Sequence, residues 1–362
     1  MQRGIVVARA PQVVAAAGRT RPQMADVARL AGVSVASVSR ALRGEPGVRE
    51  DLRHRIEGIA RQLHYEVDEG ARNLRIRHNR TISVVVPHSP AAGESLSDPF
   101  LLALIGSIAD ALTARSYDLL LSRIDTMQVG RLCRDVESRR AMGVIVVGQG
   151  HHHEQLNMVA DRGVPLVVWG AHIEGRRYAT VGSDNRLGGR LATAHLLDGG
   201  ARRVAFIGDT SLPEVAHRHA GYVDAHHARG LLPPMELTRP APFVQARVER
   251  ELASLLAMEP GIDAIFASSD LTAMTVVHAL HRAGLRVPED LQVVGFDDIP
   301  MVAQMRPALS SVAQSVEQAG AALLRALEAV VDGAQAPSIV LPTTLQPRES
   351  TRLAPCESAR QT

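Results

Sequence analysis

The chain contains no lysine, only two cysteines in 362 residues, one tryptophan, and an aromatic content of 3%. Cys133 and Cys356 lie far apart in sequence and suggest no disulfide framework, which fits a reducing, cytoplasmic setting. Every basic residue is arginine, a mark of genomic composition that carries no mechanistic weight. Long apolar runs are also missing. Segments 82–86 and 144–147 stop at Pro or Gly, far short of the roughly 20 residues a membrane span needs. A soluble protein with no membrane partner is expected. Near the N-terminus, Arg3, Arg9 and Arg19 surround apolar residues in a weak imitation of a signal peptide. Arg9 and Pro11 break the run, so residues 1–20 read as a disordered extension.

A 46% hydrophobic content over this length supports more than one packed core at the usual ~100–200 residues per domain. Charge is unevenly distributed. Residues 1–80 hold 15 Arg against 8 acidic residues, a net +7, and the remainder carries −5. A cationic head on a mildly acidic body is the distribution expected when the head alone meets phosphate.

Within the head, Met24, Val27, Ala28 and Ala31 recur at helical spacing. Gly32 follows, where a positive φ can end the helix and turn the chain. Ser34 is a good N-cap for a second helix whose buried side is Val38 and Leu42, opposite Val35, Ala36, Ser39 and Arg40. A third helix, roughly Glu50 to His64, turns Leu52, Ile56, Ile59, Ala60 and Leu63 inward and Arg49, Arg53, Arg55 and Arg61 outward. These boundaries give a helix-turn-helix domain over residues 21–66.

The string DVARLAGVSVASVSRAL resembles the helix-turn-helix of the lactose and galactose repressor (LacI/GalR) family, whose pattern is close to DVAxxAGVSxxTVSRxL. The resemblance makes helix 34–42 the recognition helix, lying in the major groove of operator DNA. It implies that Val35, Ala36 and Arg40 face bases while Ser34, Ser37 and Ser39 face phosphates. The chemistry agrees, since Arg can donate two bonds to guanine and Val or Ala can touch a thymine methyl. After Tyr65 the family usually has Pro-Asn and a short hinge helix. Here Val67-Asp68 replaces Pro-Asn, and the Ala71-Arg72-x-Leu74 core is kept. Asp68 can cap this helix and Gly70 weakens it by up to about 1 kcal/mol. Residues 67–80 are therefore expected to be a hinge and linker that folds when two copies pack in the minor groove. Leu74 is either the wedge between base pairs that the family uses or a residue packed on the next domain.

From Thr81 the pattern changes to short apolar strands alternating with amphipathic helices, which implies parallel sheets with right-handed crossovers. About 270 residues of it imply two sheets and a ligand cleft at the strands' C-terminal ends. The family resemblance extends through this region on Ser183-Asp184-Asn185, Gly188-Gly189, Arg203–Gly208, Arg218 with Gly221-Tyr222, and Val294–Asp298. The expected fold is α/β: an N-terminal three-helix helix-turn-helix head plus a two-lobed periplasmic-binding-protein-like domain with parallel sheets. That effector-binding and dimerisation domain spans 81–352, with one lobe at about 81–182 plus 312–338 and the other at 183–311 plus 339–352. Residues 353–362 form a flexible tail.

By resemblance, Arg218, Asp297 and Ser269 take the places of the family's hydroxyl-binding Arg, Asp and Asn, and Phe100 that of an aromatic packing on the ligand. Arg and Asp converging on one cleft suit a polyhydroxylated or anionic ligand, a sugar or sugar derivative. Ser269 replaces the common Asn, and Gly170 stands where Asp is frequent, so the ligand cannot be borrowed from a relative. Trp169 is compatible with a stacking face and equally with core packing.

No cofactor or metal is expected. His151-His152-His153-Glu154 reads as a solvated loop, because consecutive histidines cannot all point at one ion. Asp297-Asp298 is not a catalytic pair, since neighbours at a strand end point oppositely. Phosphate-cradling and hydrolase motifs are absent from the sequence. The resulting expectation is a homodimeric, effector-controlled repressor that is not an enzyme. The rivals are a sugar- or nucleoside-binding enzyme, or a transport receptor of the same two-lobed fold.

Overall fold

The computed structural model describes residues 22–42, 44–63, 65, 79–88, 96–125, 129–334 and 338–353. The expected N-terminal extension, the hinge residues Ala71, Arg72 and Leu74, and the tail from residue 354 lie outside the described residues. The chain divides into an N-terminal unit ending at His78 and a second unit beginning at Asn79.

In the head, α1 (Met24–Ala31), α2 (Val35–Leu42) and α3 (Glu50–Gln62) share one core of Val27, Ala28, Ala31, Val38, Ala41, Ile56 and Ala60. Gln23 and Asp26 form a capping box that starts α1. Gly32 ends it with φ 67, the left-handed conformation that favours glycine, and Val33 N–H donates back to Ala28 at 3.1 Å. Ser34 then accepts from the Ser37 amide at 3.1 Å and starts α2. Two expectations change. The third helix stops at Gln62, with Leu63 as its cap. Arg53 does not face outward: it is half-buried and donates to the Glu45 carbonyl at 3.1 Å, fastening the loop before α3.

The second unit holds two six-stranded sheets. The first runs β11-β5-β4-β3-β1-β2, formed by Ile339–Leu341, Ala179–Ser183, Leu166–Trp169, Gly143–Val147, Thr81–His88 and Asp118–Asp125, all parallel. The second runs β12-β10-β9-β8-β6-β7, formed by Thr343–Gln346, Ser310–Gln314, Gln292–Asp297, Ala264–Ala267, Val204–Ile207 and Thr238–Arg239. It is parallel except for the β10–β12 edge.

Alternation decides which face each strand residue covers. Ile82, Val84 and Val86 pack with Leu104, Ile108 and Leu112 of α4 (Pro99–Ala114) and with Leu323 and Leu327 of α11 (Val316–Val331). Val85, Val144 and Val146 turn to the opposite face, against α5 (Val129–Glu137) and α6 (His153–Asp161). The second sheet divides likewise. Phe206, Phe266 and Phe296 meet α7 (Asn185–Asp198) and α8 (Pro213–His227). Ile207, Ile265 and Val293 meet α9 (Gln245–Met258) and α10 (Asp270–Arg282). Burial on both faces explains why the longer strands read as continuous apolar runs.

The chain passes between lobes at three places, and two differ from the expected limits. β10 stays in the second sheet through Gln314, so the crossing falls after 314 and not at 312. Ile339–Leu341 pairs with Val181–Ser183 in the first sheet, so the last crossing falls at Pro342 and not at 339. The three crossing segments are stitched together: Asp184 N–H to the Leu341 carbonyl at 3.0 Å, Thr343 hydroxyl to the Asp184 carbonyl at 3.2 Å, and Ser315 hydroxyl to the Pro342 carbonyl at 2.8 Å.

Candidate functional site

Two sites emerge, one in each unit. On α2, burying Val38 and Ala41 leaves Val35, Ala36 and Arg40 on the exposed side, with Val35 42% exposed. Ser34 and Ser37 pair their hydroxyls at 3.0 Å at the helix N-terminus, where the backbone dipole favours an anion. Ser39 is half-buried on the same helix. The six residues singled out in the sequence therefore fall on α2 and on Ser34 immediately before it, and the exposed side of the helix carries a cation and two small apolar groups. That pattern suits phosphate contact at the helix start and base contact along it.

The other site is a cleft of about 610 Å³ between the two lobes of the second unit, bordered by the C-terminal ends of strands. All five residues expected there, Phe100, Trp169, Arg218, Ser269 and Asp297, line it. Phe100 packs against cores of both lobes and lies 6.3 Å from the Trp169 ring at a 45° tilt. Trp169 is 6% exposed and packs in the first lobe's core, and it also borders the cleft.

Arg218, 6% exposed, is held rigidly. Its Nε donates to Asn185 at 2.8 Å, its Nη1 to the Ser268 carbonyl, and its guanidinium lies 3.7 Å from the centre of the Phe296 ring. Nη2 faces Asp297 at 3.8 Å. α7 and α8 cross closely enough to set this position, since a Cβ on Gly189 would collide with the Arg218 carbonyl. Asp297 accepts from Gln314 at 2.7 Å. Burial pushes its carboxyl above the ordinary range; Arg218 opposes that shift, and Asp98 adds to it. Asp270, behind it, is also raised by burial and by Asp297. Asp297 and Asp298 have φ of 117 and 54, a strained backbone for residues other than glycine. Asp298 turns away to pair with Arg348 at 2.7 Å.

Other expectations shift. The Ser269 hydroxyl caps α10, accepting from the Thr272 amide at 3.2 Å, so less of it is free for a ligand than an Asn would offer. A Cβ on Gly170 would lie 2.6 Å from Gln149 Oε1, so a side chain there requires Gln149 to move. Gln149 is buried and donates to the Ala171 carbonyl and the Tyr178 hydroxyl. The histidine run is not wholly loop: His153 opens α6 and bonds Tyr178 and Asn157. Among the described residues no group of three or more His, Cys, Asp or Glu is placed to hold a metal, and no helix is long and apolar enough to cross a membrane.

Sequence reasoning missed Gln314, which accepts from Ser183 at 2.6 Å and donates to Asp297, and Glu214 at the start of α8. Asn185 sat inside a quoted motif without a role; its role is to orient Arg218.

Profiles of two families match the chain: bacterial regulatory proteins of the lacI family over residues 23–68, and the periplasmic binding protein-like domain over 193–351. The regulator CelR of Thermobifida fusca is 30% identical over 338 residues, covering 92% of this chain and 99% of that protein. The ribose operon repressor of Halalkalibacterium halodurans is 29% identical, covering 90% and 96%. Among solved structures, a CelR–cellobiose complex superposes with a TM-score of 0.69 at 29% identity, covering 91% of this chain and 100% of that one. The lac repressor dimer bound to operator gives 0.80 at 20% identity over 91% and 99%, which supports the fold. The helix-turn-helix head, the two-lobed body and these matches across nearly the whole length establish that the chain belongs to the LacI family of DNA-binding transcriptional regulators.

Proposed function

We propose that this regulator represses transcription in the cytoplasm by binding a near-palindromic operator as a homodimer, and that a sugar-like effector in the interlobe cleft controls its affinity. The observation that carries this reading is the rigidly held Arg218 facing Asp297 in a cleft that the Phe100–Trp169 ring pair also lines. Two polar groups fix a polyol's hydroxyls and the rings cover its apolar face. The CelR–cellobiose complex, a relative with a sugar bound, supports the ligand class. In the head, Arg40 reads a guanine, Val35 and Ala36 contact neighbouring bases, and Ser34, Ser37 and Ser39 take phosphates. Ala71, Arg72 and Leu74 extend the contact into the minor groove. A dimer is required because one head of this size gives little specificity, and two hinge segments must pack together.

Cleft and head communicate along the chain through the hinge and linker of residues 67–80, so the effector acts by favouring one of two lobe arrangements. Calorimetry with a bound sugar and operator titration, on folded variants, test this. Arg218→Ala and Asp297→Ala should lose the ligand response and keep ligand-free operator affinity, while Leu74→Ala should weaken operator binding and spare the ligand. A normal ligand response in Arg218→Ala and Asp297→Ala would contradict it.

A further inference from the structure

Charge in the cleft is lopsided. Among the described residues, the acid groups of Asp98, Asp209, Glu214 and Asp297 line it, against the guanidiniums of Arg123 and Arg218 and the imidazoles of His88, His151 and His152. Arg218 is moreover surrounded: Asp297, Glu214 and Asp270 all act on it, and its Nε and Nη1 are already engaged. An incoming anion would approach this cation past more acid groups than guanidiniums.

Glu214 is the exceptional member of the set. It sits in the first turn of α8, in the second lobe. Burial raises its carboxyl; its own amide, Arg218, and the backbone amides of Gln149 and Ala171 pull it back. Gln149 and Ala171 belong to loops after β3 and β4 in the first lobe, and Glu214, from the second lobe, lines the cleft between them. Hydroxyl and ammonium groups donate to a carboxylate, whereas a carboxylate or phosphate can only accept. We propose that Glu214 selects the charge of the effector, so that the cleft takes polyols that are uncharged or carry an amine and turns away sugar acids and sugar phosphates. This rests on the reading of the cleft as the effector site.

Trp169 is the only tryptophan in the chain and lines the cleft, so its emission reports occupancy there. The full-length protein and Glu214→Gln are titrated with glucose, cellobiose, glucosamine, gluconate and glucose 6-phosphate. The expected result is an uncharged or amine-bearing member that changes the emission with a Kd at least about tenfold below that of its acid or phosphate counterpart. Glu214→Gln should narrow that gap. Equal or tighter binding of the acid or phosphate by the wild type, an unchanged gap in the variant, or a silent panel overturns the proposal. The wild-type ranking decides the matter even where the variant folds poorly. A sugar that shifts melting or operator affinity without moving the Trp169 signal removes the effector reading of the cleft itself. A sugar phosphate that binds with a Trp169 response leaves that reading intact and removes the charge rule alone.

Discussion

Arg40 and Arg218 carry the same guanidinium into opposite settings. Arg40 is exposed on α2, where its donors are free for a guanine, and Arg218 is 6% exposed and fixed by Asn185, Ser268 and Phe296. Arg40→Ala should cost on the order of 1–3 kcal/mol of operator affinity and relax preference at one base pair per half-site, whereas Arg61→Ala on α3 should matter less. Titration against operators substituted at each position checks both. Gly189→Ala should destabilise the second unit by about 1–3 kcal/mol, because its Cβ would meet the Arg218 carbonyl and displace the guanidinium with it. Thermal melting together with sugar binding reads out the two effects. Residue identities were legible in the sequence where a motif fixed them, as for Arg218, Asp297 and Phe100. Gln314 and Glu214 were not legible, because only the folded crossing segment and the approach of α8 to the first lobe bring them to the cleft.

Local chemistry explains where the elements begin. Ser34→Ala should destabilise the head by about 1 kcal/mol, since the Ser37 amide loses its side-chain acceptor at 3.1 Å and keeps only the Ser34 carbonyl at 2.9 Å; operator affinity and resistance to chemical denaturation should fall together. In the second lobe, His219 stacks on Tyr222 at 5.4 Å and meets the edge of Phe206 at 5.0 Å, and burial lowers its pKa from 6.5. The unfolded chain therefore binds a proton below pH 6.5 that the folded protein refuses, and this residue's contribution to stability is lost as pH falls below that value. His219→Phe should lose less melting temperature than the wild type between pH 7.5 and 5. A steeper loss in the variant would show that His219 is not held neutral. Strands buried on both faces were plain as apolar runs. β5 (ATVGS), β10 (SSVAQ) and the short β7, β11 and β12 were not, because Gly, Ser and Thr dilute the apolar signal and neighbouring strands define them. The lobe limits moved for the same reason: β10 runs to Gln314, and Ile339–Leu341 completes the first sheet.

At the scale of the molecule, the central claim is that one chain couples an operator-reading head to a sugar-sensing cleft. Coupling of this kind is reciprocal. A ligand that changes operator affinity tenfold must bind tenfold differently to the operator complex, a free energy of about 1.4 kcal/mol. Cleft occupancy and DNA binding can be followed separately, the first by Trp169 emission and the second by operator anisotropy. The most direct measurement is therefore the operator affinity of the full-length protein, on a site selected from random DNA, with the cleft empty and with the cleft filled by a sugar that moves the Trp169 signal. A change of about tenfold or more is expected, matched by the same factor in sugar affinity on the operator complex. Equal operator affinity in both states would contradict it.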